Sequence, residues 1–137
     1  MPDNPRIPLE DLPKIELHLH LDCSLSYEVA NALSPGLSRQ TYEENFIAPP
    51  KCTDLADYLT RAVKGYELMQ SREHLHLVTQ DLFKQLQRDR VIYAEIRFAP
   101  LLHTEGGLAP GEVVEQVVKS TREGIEKYGV EARLILC

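Results

Sequence analysis

The chain has 137 residues, 43% of them hydrophobic, and 21 acidic against 15 basic side chains give a net charge of −6. That length suits one ordinary domain or part of a larger one. An acidic chain without a basic cluster is a poor match for nucleic acid or an anionic membrane surface, so neither partner is expected.

Residues 1–13, MPDNPRIPLEDLP, read as a polar, proline-punctuated lead-in. No basic segment followed by an apolar one occurs there, so no secretory signal is expected. No window approaches about 18 unbroken apolar residues, so no transmembrane helix is expected either. Cys23, Cys52 and Cys137 are odd in number, far apart and without a C-x-x-C pair. That argues against a disulfide framework or a cysteine zinc site and fits a reducing, cytoplasmic setting.

KIELHLHL (14–21) alternates with period two and predicts a strand. Ser24 or Ser26 is a candidate cap for a short helix to about Leu33, closed by Ser34-Pro35-Gly36. Residues 37–53 are mixed, with Pro49-Pro50 as a breaker. Leu55, Tyr58, Leu59, Ala62, Val63 and Tyr66 give a helical stripe over 54–69. A second helix is expected after Ser71, to about Arg88. VIYAEIRFAP (91–100) reads as a strand stopped by Pro100. Pro110 suits a first helical turn, and a valine-rich stripe runs from it to Gly129. EARLILC (131–137) predicts a third strand.

Strand, helical segment, strand, helix, strand spells parallel β/α units. Three such strands leave an open parallel edge, and parallel sheets are normally covered on both faces. A (β/α)8 TIM barrel needs about 250 residues. Residues 1–137 are therefore expected to be the N-terminal portion of such a barrel, about three parallel strands with intervening helices, within one larger domain. A small three-stranded α/β domain is the alternative.

The first strand carries the chemistry. Residues two apart on a strand share a face at about 6.6 Å between Cα atoms. Two imidazoles so placed can converge on one ion at about 2.0–2.1 Å, which makes His18 and His20 candidate metal ligands. Asp22 follows at the C-terminal end, the side that becomes the mouth of a barrel. Glu16 is expected deeper on the same face, in the interior, with Arg97, beside Tyr93 and Glu95 on the second strand, as a candidate partner for it or as a group that orients a metal-side residue. His74 and His76 fall within a helical stripe, where residues two apart do not face each other, and are expected to be structural. His103 is expected to be an ordinary loop histidine.

LPKIELHLHLDCS (12–24) resembles the N-terminal signature of the adenosine deaminase family, which runs like L-P-K-x-E-L-H-x-H-L-D-G. VIYAEIRFAP resembles that family's second barrel strand, a Y-x-E-x-R-[FY]-[SA]-P-like run. With the helices between, the resemblance spans nearly the whole chain but only the first part of the family's barrel. It implies a zinc-dependent hydrolase converting adenosine, and 2′-deoxyadenosine, to inosine-type products and ammonia. By position, His18 and His20 resemble two zinc ligands, and Asp22 the residue that contacts the ribose 5′-hydroxyl. Asp rather than Glu there resembles the nucleoside branch more than the adenine branch. Tyr58, Leu59 and Ala62 resemble an apolar gate over a small-molecule purine nucleoside, with Ala62 smaller than the aromatic expected. Cys23 stands where the family usually has glycine; a buried packing role is expected for it. The family's remaining ligands and catalytic acids have no matching motif here, so no catalytic residue is assigned and the remainder of the barrel is the expected partner. A related metal-dependent (β/α)8 hydrolase acting on adenine or a modified nucleoside, and a non-catalytic fragment, are the competing readings.

Overall fold

Three stretches of alternating or β-branched sequence become parallel strands in the computed structural model, which describes residues 8–137 apart from the side chains of Ala62 and Val63. The strands are β1 (Lys14–His20), β2 (Val91–Phe98) and β3 (Glu131–Leu136), in the spatial order β1-β2-β3. Five helices connect them: α1 (Tyr27–Leu33), α2 (Arg39–Phe46), α3 (Leu55–Glu67), α4 (Arg72–Arg88) and α5 (Pro110–Tyr128). Short 3-10 turns follow β1 (Leu21–Cys23) and β2 (Pro100–His103).

The helix starts follow local chemistry. The side chains of Ser26, Ser38, Asp54 and Ser71 each accept a backbone N–H three residues on, at the starts of α1 to α4. At α5 the Glu112 carboxylate accepts the Ala109 N–H at 2.9 Å, and Gly129 closes the helix in the left-handed region at φ 69°. Helix α2 is an addition to the expected plan, within residues read as mixed. Tyr42 is its one fully buried residue, with Phe46 stacked on it at 5.4 Å, and two apolar positions in a short helix are too few to make a stripe for a periodicity argument to find.

Alternation on β2 sorts its side chains. Ala94, Ile96 and Phe98 are fully buried against the helices, while Tyr93, Glu95 and Arg97 share the other face. Leu75, Val78 and Phe83 of α4 and Val113 and Val117 of α5 complete the core. Burying each large apolar side chain contributes about 1.5–3 kcal/mol. The two long helices approach closely because Gly124 meets the Phe83 ring, where a Cβ would lie 2.5 Å from it.

The sheet is open at both edges, and Ile15 and Leu17 of β1 are largely exposed. A three-stranded parallel sheet with helices gathered on its outside is the N-terminal portion of a (β/α)8 barrel. Among the described residues no helix is long and apolar enough to cross a membrane.

Candidate functional site at the C-terminal end of the sheet

The rings of His18 and His20 converge. Their centroids are 5.2 Å apart and their Nε2 atoms 3.2 Å apart. Two nitrogens bound to one tetrahedral zinc at about 2.0–2.1 Å stand about 3.3 Å from each other, so the pair already has the spacing of one edge of such a site. Arg97 Nη1 lies 3.3 Å from His18 Nε2. Among the described residues no group of three His, Cys, Asp or Glu is arranged to hold a metal. The two histidines supply one edge of a coordination polyhedron and no more.

Asp22 lies beyond the strand rather than on it. Strand β1 ends at His20, and Asp22 sits in the following 3-10 turn, 7% exposed. Its Oδ1 is 3.9 Å from His20 Nδ1, a charge contact too long for a hydrogen bond. Helix α3 presses on this turn. A Cβ on Gly65 would stand 1.6 Å from the Asp22 carbonyl oxygen, so glycine is what permits the approach.

Strict alternation fails on β1, and Glu16 is the residue affected. The register pairs Glu16 with Ala94 and Leu19 with Ile96, so one extra residue of β1 lies between. Glu16 thereby shares the helix-facing side of Ala94, bordering a groove with Leu82, Gln85 and Leu86. His20 pairs with Arg97 on the opposite side. The expected interior position of Glu16 and its pairing with Arg97 are therefore incorrect; Arg97 takes the other expected option and meets His18.

His18, His20 and Asp22 border a cavity of about 550 Å³, and Tyr58 and Leu59 of α3 form part of its wall. Both are half exposed at its mouth, 51% and 49%. The Ala62 side chain lies outside the described residues. Tyr66, Ala99, Leu102 and Cys137 also line the cavity and were not anticipated. Tyr66 is seven residues from Leu59 on the same helical stripe, and Ala99 and Cys137 follow the ends of β2 and β3; both signals are readable once the barrel mouth is considered.

Cys23 is exposed, which overturns the expected buried packing role. Its sulfur is nonetheless partly desolvated and lies 3.9 Å from Asp22 Oδ1, and these effects, desolvation the larger, push the thiol up to about 12. It stays protonated at neutral pH, unlike a metal-ligating thiolate. His103 closes the 3-10 turn after β2 fully buried, with Nδ1 3.2 Å from the Met69 carbonyl and, among the described residues, no partner at Nε2. Burial holds its pKa below the ordinary histidine value, against the opposing pull of Asp22 and the Met69 carbonyl. The helical pair diverges as expected: His74 Nδ1 is 2.8 Å from Leu68 O, whereas His76 Nδ1 is 3.1 Å from Ser120 Oγ and 3.4 Å from Glu123.

A model of the family described as adenosine deaminase matches residues 13–137. The chain is 42% identical over 135 residues to an adenosine deaminase of Clostridium perfringens, covering 93% of this chain and 41% of that protein. An Enterococcus faecalis adenosine deaminase is 38% identical over 135 residues, covering 94% and 40%. Among solved structures, an adenine deaminase from Arthrobacter aurescens superposes with a TM-score of 0.69 at 27% identity, over 90% of this chain and 39% of that one. An amidohydrolase from Burkholderia ambifaria, solved with bound zinc, shares the fold at a TM-score of 0.77 and 20% identity, over 93% and 36%. The chain thus spans about two fifths of the length of the relatives it matches. A strand that converges two imidazoles at the mouth of an open β/α sheet, and a family match over residues 13–137, lead to one conclusion: the chain belongs to the adenosine deaminase family.

Proposed function

We propose that residues 1–137 form the N-terminal segment of a single larger barrel domain that hydrolyses adenosine and 2′-deoxyadenosine to their inosine products and ammonia. The 3.2 Å separation of the His18 and His20 Nε2 atoms carries this reading. These two nitrogens would hold a zinc ion from one side. Zinc, when bound, lowers the pKa of water towards about 7 and so supplies a nucleophile at neutral pH. Catalytic zinc sites usually take about three protein ligands, so the rest of the set comes from strands beyond β3.

Asp22 would accept a hydrogen bond from the ribose 5′-hydroxyl. A buried carboxylate there disfavours a 5′-phosphate by like-charge repulsion. Tyr58 and Leu59, with Ala62 on the same helix, would cover the purine and exclude water from it. The small neutral substrate and the net charge of −6 fit a cytoplasmic enzyme without a nucleic-acid or anionic-membrane partner.

The test is ammonia release by the full-length protein from adenosine, 2′-deoxyadenosine, adenine and AMP, with zinc content measured alongside. Turnover of the two nucleosides above adenine and AMP is expected. Asp22→Ala should reduce adenosine turnover more than adenine turnover; equal losses would contradict the ribose contact. The likeness to an adenine deaminase at 27% identity supports a second reading, in which adenine itself is the substrate. Preference for adenine over both nucleosides would establish it. Zinc-free protein inactive on every purine would leave a non-catalytic role.

A further inference from the structure

A parallel strand in unbroken register would turn Glu16, His18 and His20 to one face. Strand β1 does not, because an extra residue lies between the pairs Glu16↔Ala94 and Leu19↔Ile96. A bulge of this kind locally disrupts the ladder, bends the strand and re-aims the side chains beyond it. Here His18 lies within the irregular stretch and His20 beyond it, and their Nε2 atoms end 3.2 Å apart.

The Glu16 carboxylate turns back along its own strand. Its Oε1 accepts the His18 N–H at 3.3 Å, bridging the irregular step from the helix-facing side. Backbone N–H groups need a partner wherever the ladder is broken, and an ionised acceptor makes the stronger bond. We propose that Glu16 is a positioning residue for the metal edge: it clamps the bulge, fixes the His18 backbone, and so sets the separation of the two ring nitrogens. This rests on the reading that His18 and His20 bind metal. Glu16 itself faces away from the ion and contributes no ligand atom.

The experiment is zinc affinity of the full-length protein, measured by competition with a chelator, for wild type, Glu16→Gln, Glu16→Ala, Glu16→Leu and the control His18→Ala. Groups that orient a metal ligand are typically worth about 10- to 100-fold in affinity, and the lower end applies to a backbone clamp. Glu16→Ala and Glu16→Leu should each weaken zinc binding by about 10-fold, since neither carries an acceptor. Glu16→Gln keeps the acceptor oxygen and should remain nearer to wild type than to Glu16→Ala. Wild-type affinity in Glu16→Ala, or equal loss in Glu16→Gln and Glu16→Ala, would overturn the proposal. If Glu16→Ala does not fold, the order of Glu16→Gln above Glu16→Leu decides, and its reversal overturns it. Unchanged zinc binding in His18→Ala would instead remove the underlying metal reading.

Discussion

Gly65→Ala sets two opposed effects against each other, and the structure determines which prevails. Inside a helix alanine is favoured over glycine by about 1 kcal/mol. Against this, the new Cβ would lie 1.6 Å from the Asp22 carbonyl oxygen, where real Cβ contacts essentially never fall below 3.0 Å. Helix α3 and the Leu21–Cys23 turn must therefore part by about 1.4 Å, the difference between those two distances. The obstacle is a backbone atom, so no change of rotamer relieves it. Overpacking of this kind costs about 1–3 kcal/mol, which leaves a net destabilisation of about 0–2 kcal/mol after the propensity gain. The displacement falls on the cavity wall, because Tyr58, Leu59 and Tyr66 ride on α3 and Asp22 lies in the turn. A misplacement of about 1 Å can cost about 100-fold in rate, so kcat/KM on adenosine should fall by much more than stability. Urea unfolding followed by circular dichroism, together with steady-state rates on the full-length protein, measures both. A Gly65→Ala variant as stable and as active as wild type would refute the close contact between α3 and the Asp22 turn.

Further outcomes follow from single contacts. His18→Ala and His20→Ala should each abolish turnover and lower zinc content in the full-length protein; wild-type rates in both would remove these side chains from the site. For His103 burial lowers the folded-state pKa below 6.5, so the unfolded chain binds the extra proton first. Stability should accordingly rise with pH below 6.5 and level off above it, and His103→Gln should flatten that slope in urea midpoints measured across the range. Asp81 accepts hydrogen bonds from the Ser26 N–H at 3.1 Å and hydroxyl at 2.8 Å, joining the start of α1 to α4. Asp81→Ala should cost about 1–3 kcal/mol by leaving those partly buried donors unpaired, and an unchanged unfolding midpoint would show that the tether contributes nothing. Cys23, held as a thiol up to about 12, should alkylate slowly at neutral pH despite its exposure, with a rate still climbing at the alkaline limit of the assay. Rapid labelling at neutral pH, read by mass spectrometry, would contradict that protonation state.

Much of this molecule was legible in one dimension because the signals are local. Period-two alternation in KIELHLH, the β-branched run of β2 and the serine and aspartate caps act within a few residues, and the strands and helices follow them. The same holds for His74 and His76, whose divergence is a matter of helical angle alone. Helix α2 escaped because its packing rests on two aromatic rings, Phe46 stacked on Tyr42, whose hydroxyl reaches the Leu25 carbonyl at 2.7 Å. Cys23 escaped for a related reason: local sequence does not tell whether a turn residue meets solvent or a neighbouring helix.

Spacing and residue type along the chain suffice for the parallel β/α order and the His-x-His pair at a strand end, and the family rests on the likeness of two motifs to its signatures. The facing of Glu16 was settled by the sheet. Alternation assumes an unbroken ladder, and a register shift is a property of two strands together, invisible in either one. Packing against distant elements likewise decided that Gly65 admits the Asp22 turn and that His103 is buried, for each depends on a neighbour tens of residues away.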